Sequence, residues 1–222
     1  VHSSLAVLVE NPAWRLVQAL YTLRDKNGKI LIKDWNKEVD SFTKKDYEII
    51  GMEPFDEKSF KSEYGIKRFV GNKKGIAIKK ALVGDPTCNI AGISSGYEGP
   101  GAKTVLPSKA FVKIDFRLVP KMNPVKQLTR LKKRLKEKGF SDIEVNMIHG
   151  EAASRTSISD PFVSVVKEAA DEAFGRSIIS VSSAGTGPMY SFSKVLNSPC
   201  IAVGSTYIYS RIHSPNEFAR ID

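Results

Sequence analysis

The chain has 222 residues, 41% of them hydrophobic and 26% charged, enough apolar material for a core without disulfide or metal staples. No apolar run approaches the roughly 20 residues that span a bilayer, and no signal peptide precedes the first helix, so a cytoplasmic protein with no membrane partner is expected. The formal net charge of +10 raises nucleic acid as a partner. The basic residues are dispersed, however, and no RNP-type aromatic pattern, zinc finger or GXXG loop accompanies them, so no nucleic-acid partner is expected. Cys88 and Cys200 lie far apart and read as two reduced thiols.

In chain order, Asn11-Pro12 opens a helix with Leu16, Val17, Leu20 and Leu23 on one face. Residues 26–84 are rich in lysine, acidic residues and glycine and have no clear period; they read as a long insertion without a firm assignment. Ile90 to Ile93, broken by Gly92, is a short strand. From Ala110 to Leu118 the even positions are apolar and Lys113, Asp115 and Arg117 are charged, the pattern of a strand with one wet face. Asn123-Pro124 opens a second helix with Val125, Leu128, Leu131 and Leu135 inward, ended by Gly139. Ile143, Val145 and Met147 alternate with Glu144 and Asn146 as a further strand.

This order predicts an α+β layer up to about residue 150, a two-layer, ferredoxin-like sandwich of an antiparallel sheet with two helices on one face. Beyond Gly150 the character changes. A helix over 160–174 with Phe162, Val166, Ala169, Ala170 and Ala173 at helical spacing is followed by a strand near Ile178 to Val181. A helix around Tyr190 to Val195 and a strand from Cys200 to Val203 complete what read as α/β units of another domain. The expected organisation is therefore a domain over 1–150, carrying the insertion 26–84, and part of a second over 151–222.

Only three histidines are present, His2, His149 and His213, and none falls in a metal-binding spacing such as HExxH. A lone loop histidine is as a rule a surface or hydrogen-bonded residue, so local sequence alone assigns none of them. The Ser-Ala-Gly-Thr-Gly-Pro turn at 183–188, with Thr186, reads either as an anion cradle of backbone N–H groups or as a plain tight turn. Arg117 on its wet strand face reads either as a bidentate carboxylate clamp or as the partner of an acidic residue on a neighbouring strand.

Taken in order, Val1-His2-Ser3-Ser4, Gly99-Pro100-Gly101-Ala102-Lys103-Thr104-Val105-Leu106-Pro107, Phe116-Arg117-Leu118-Val119-Pro120, Ile148-His149-Gly150, Ala184-Gly185-Thr186-Gly187-Pro188 and His213-Ser214-Pro215-Asn216-Glu217 resemble one family. It is the metallopeptidase family of carnosine and Cys-Gly dipeptidases, aminoacylases and acetylornithine and succinyl-diaminopimelate deacylases. The resemblance implies a catalytic domain holding two divalent metal ions, zinc or manganese, interrupted by a smaller lid domain through which the enzyme forms a homodimer. It implies that His213 is a metal ligand and that His2 stabilises the oxyanion in the partner subunit's site. Thr104 is implied to act across the dimer, and Arg117, His149 and Thr186 to hold the carboxylate and backbone of a small peptide substrate.

The departures carry their own expectation. Relatives hold a histidine, a bridging aspartate, a paired-glutamate segment and a further acidic ligand earlier in the chain. Without them this polypeptide is expected to be a fragment, inactive alone. Leu5-Ala6-Val7 stands where many relatives show glycines, Thr186 replaces a common serine, and no closing helix follows His213. The expected activity of the full-length protein is dipeptide hydrolysis. An N-acyl amino acid deacylase and a non-catalytic dimerisation or binding module are the alternatives.

Overall fold

A computed structural model describes residues 1–204 and 209–219; the chain's end at Ile221-Asp222, and with it the expectation of no closing helix, lies outside the described residues. By contact density the chain falls into two compact units. One combines Val1–Ser41 with Gly84–Ala153, and the other combines Phe42–Val83 with the residues from Ser154 onward.

In the first unit, a short 3-10 helix, Ser3–Val7, precedes α1, Pro12–Tyr21. The Asn11 side chain caps α1 by accepting the Ala13 N–H at 2.8 Å, and Pro12 in the first turn loses no intrahelical bond. Strands β1, Asn89–Ser95, and β2, Ala110–Asp115, pair antiparallel, with a register shift between Ile90 and Gly92. Helix α5, Pro124–Glu137, is capped by Asn123 and ends before Gly139, whose φ of +81° suits a residue without Cβ. Ala19 of α1, Leu23 just past its end, Trp35, Met122, and Leu131 and Leu135 of α5 belong to the core. Ile114, Phe116 and Leu118 pack against it, as the alternation from Ala110 predicts.

The second unit begins with three helices in the segment that sequence left unassigned: α2, Lys44–Met52, α3, Glu57–Glu63, and α4, Ile76–Gly84. Thr43 and Asp46 form a reciprocal capping box at the start of α2. Ile50 is fully buried and packs with Val83, Ile158 and Val181. Helices α6, Pro161–Phe174, and α7, Met189–Val195, follow, close to their expected limits.

The architecture is α/β with a two-stranded sheet among the described residues, and three expected strands are not formed. Ile143 and Val145 do pack against the first core, and Ile179 and Val181 belong to the second. Met147, Ile178 and Val203 are exposed, so the apolar pattern reported burial only in part; a strand also needs a hydrogen-bonded neighbour, which these segments lack among the described residues. At Cys200 the reason is specific. Its N–H and C=O both bond to Thr156 Oγ1 at 2.8 Å, so a side chain takes the groups a ladder would use. Two helix faces also differ from expectation. Val17 and Val125 are exposed, and Ala19 and Gln127 are buried in their helices.

Candidate functional site

The first unit brings two of the candidate residues onto one edge. His2 forms an antiparallel bridge with Val105, through Leu106 N–H donating to Val1 C=O at 2.8 Å and Ser3 N–H donating to Thr104 C=O at 3.1 Å. The backbone at His2 and Thr104 is thus fixed by the same pairing, while both residues stay exposed. The His2 ring folds back on the start of its 3-10 helix, where Nδ1 accepts the Ser4 N–H at 3.1 Å and lies 2.8 Å from Ser4 Oγ.

The loop that carries Thr104 is braced from within. Tyr97 Oη donates to Pro100 C=O at 2.9 Å, and the Lys103 ammonium sits 5.5 Å above the Tyr97 ring. A Cβ at Gly99 would lie 2.5 Å from Tyr97 Oη, so this position tolerates no side chain unless the tyrosine moves. The brace gives a physical reason for glycine in this string.

Arg117 lies just past β2 with its side chain half exposed, and its Nε donates to Asp115 Oδ2 at 3.1 Å. The ion pair runs along one stretch of chain, between residues two apart on the same strand face, rather than across strands. Thr87 holds the backbone of Arg117 in place: Thr87 N–H donates to Arg117 C=O at 3.0 Å, and Arg117 N–H to the Thr87 side-chain Oγ1 at 3.3 Å. His149 is open, its side chain 82% exposed and its Nε2 4.0 Å from Glu151.

Thr186 and His213 belong to the second unit. Thr186 is exposed in the turn before α7. His213 is exposed in a tight turn at φ +62°, closed by Ser214 N–H donating to Arg211 C=O at 2.8 Å. Among the described residues no three His, Cys, Asp or Glu side chains converge as a metal site needs. His213 thus offers one imidazole, and the described residues do not fit a two-metal site by themselves. Cys88 and Cys200 are free thiols, and burial pushes the Cys88 thiol up.

Sequence reasoning missed Ser4 as the partner of His2 and Tyr97 as the brace under the Thr104 loop. The only signal for either was proximity in sequence to a candidate residue.

Residues 1–143 match the family model of the M20 peptidase dimerisation domain. The chain belongs to the M20 metallopeptidase family. It is 30% identical over 158 residues to the Cys-Gly metallodipeptidase of Saccharomyces cerevisiae, an alignment that covers 70% of this chain and 32% of that protein. It is 26% identical to the human Beta-Ala-His dipeptidase, over 95% of this chain and 42% of the relative. Among solved structures, an M20 family metallo-carboxypeptidase from Sulfolobus solfataricus superposes with a TM-score of 0.81 at 38% identity, covering 89% of this chain and 51% of that one. Human carnosine dipeptidase 1 superposes with a TM-score of 0.82 at 25% identity, covering 98% and 48%. The chain therefore spans about a third to a half of the M20 relatives it matches.

Proposed function

We propose that this chain is part of a two-metal hydrolase that cleaves the amide bond of dipeptides or short peptides bearing a free C-terminal carboxylate. Residues 1–150, apart from the segment Phe42–Val83 that belongs to the second unit, act as lid and dimerisation domain, and 151–222 as the C-terminal part of the catalytic domain. The observation that carries this reading is the backbone pairing of the His2 and Thr104 segments, since both residues match positions that act across the dimer. The homodimer is supported by the dimerisation-domain match and by Trp14, Val17 and Tyr21, exposed along one stripe of α1. Phe162, Val165 and Phe174 of α6 and Val195 of α7 are also exposed, an apolar surface suited to burial in a larger catalytic domain.

In the assembled enzyme, divalent metals would activate water and polarise the scissile carbonyl. From this chain, His213 would supply one imidazole to them. An imidazole N–H of His2 would meet the developing oxyanion, and Arg117, with Thr186 and His149, would hold the substrate's carboxylate and backbone. An N-acyl amino acid deacylase uses the same groups; Asn216-Glu217 after His213 and the long segment after the first helix favour the dipeptidase.

The test is a metal-dependence screen of the full-length protein against dipeptides and N-acyl amino acids. Dipeptide turnover that requires zinc or manganese is expected. The present chain alone, given either metal, should leave dipeptides intact, because one matched ligand cannot hold two ions. No metal-dependent amide hydrolysis by the full-length protein would overturn the reading.

A further inference from the structure

The His2 imidazole is exposed, yet its proton is not placed at random. A backbone amide can only donate, so the 3.1 Å contact from Ser4 N–H requires a lone pair on Nδ1. Were Nδ1 protonated in the neutral ring, two N–H groups would face each other there. The Ser4 hydroxyl, 2.8 Å away, donates to the same lone pair. The single proton of the neutral ring then sits on Nε2, at the edge of the ring turned away from Ser4. The backbone cannot drift from this arrangement freely, because the bridge to Val105 pins the residues on either side of His2.

We propose that Ser4 is a positioning residue: its amide and hydroxyl hold His2 as the Nε2–H tautomer, so that the lid presents a hydrogen-bond donor to the substrate's carbonyl oxygen. The opposite tautomer would present a lone pair to a developing negative charge and would repel it. The assignment deepens the role proposed above for His2 and rests on it. Ser4 itself touches no substrate; it acts through the ring.

The test combines spectroscopy with kinetics on the full-length enzyme. Long-range 1H–15N NMR, with the His2 signals assigned by their loss in His2→Gln, reads which nitrogen is protonated at a pH where the ring is neutral. Nε2–H is expected in the native enzyme, and an Nδ1–H signal would overturn the proposal. Ser4→Ala removes the hydroxyl from an exposed position, so the fold is expected to persist. It should shift part of the population to Nδ1–H and lower kcat about two- to tenfold with little change in KM. Ser4→Thr should restore both readings. A loss that threonine does not restore, or an Ser4→Ala spectrum identical to native, would count against Ser4. If His2→Gln left kcat/KM unchanged, the substrate role of His2 would fall, and the tautomer spectrum would decide the Ser4 assignment separately.

Discussion

At the residue scale, Arg117 poses the clearest choice between two roles. Its pair with Asp115 is half exposed on both sides, and such pairs contribute only about 0–1 kcal/mol to stability. A structural role therefore predicts a small change in unfolding midpoint for Arg117→Ala and little else. A carboxylate clamp predicts the loss of a charge-assisted contact worth about 1.5–3 kcal/mol, a fall in kcat/KM of roughly tenfold to a hundredfold. Lysine should rescue only in part, because a point charge does not reproduce the fork. A substrate whose carboxylate is replaced by an amide should be poor already and lose little more in the mutant; equal losses on both substrates would leave only the structural role. Asp171 offers a second test, of stability. Hydrogen bonds from Lys167, and from the Ser177 amide and hydroxyl, hold its carboxyl well below its ordinary 3.8, at about 2. A pKa lowered by folding stabilises the folded state above the unfolded value, and that contribution is lost as pH falls through the folded one. The native protein should therefore exceed Asp171→Asn in urea midpoint above about pH 4, with the gap closing towards about pH 2. A gap independent of pH would show that the carboxylate charge plays no part.

At the scale of elements, the packing of α2 can be tested directly. Ile50→Ala should cost about 2–5 kcal/mol, since the residue is fully buried among Val83, Ile158 and Val181. Thr43→Ala should cost about 0.5–2 kcal/mol by opening the capping box. Urea unfolding at neutral pH measures both, and a loss below 1 kcal/mol for Ile50 would contradict its place in the core. Three helices were legible because a capping Asn or Asp with proline in the first turn announces them without help from tertiary contacts. Start signals also existed in the unassigned segment, at Thr43-Lys44-Lys45-Asp46 and Asp56, but no strong apolar period followed them. Strands were harder. Burial alternation is written in the sequence, whereas a ladder depends on what lies beside the strand, so of Ile143, Val145 and Met147 the first two are covered, Met147 is exposed, and the element is not a strand. The site followed the same division. His2, Thr104 and Arg117 were named from motif order, but Ser4 and Asp115, which bond to His2 and Arg117, and Tyr97, which braces the loop of Thr104, only emerge once the backbone is folded.

At the scale of the whole molecule, the stripe of Trp14, Val17 and Tyr21 carries the prediction of assembly. In the full-length enzyme, Trp14→Glu combined with Tyr21→Glu should halve the mass seen by light scattering and remove activity, if His2 and Thr104 act across subunits. A monomeric variant with full activity would dissociate those residues from the partner's site. Truncation gives a further test. Residues 1–143 cover the family match but omit Ile158 and Val181, half of the core around Ile50. That piece should bind more of a hydrophobic dye than the whole chain and unfold less cooperatively. Equal behaviour of the two would mean that α2 to α4 need no later partner.

The same interleaving sets an order on biosynthesis. A ribosome delivers Ile50 and Val83 roughly a hundred residues before Ile158 and Val181, a delay of roughly 5–20 s at ordinary rates of translation. During that interval the first unit can close once Phe140 has emerged, while α2 to α4 wait with an apolar face uncovered. The nascent chain therefore carries an uncovered apolar surface on α2 to α4 throughout that window, and a chaperone that shields it would act there.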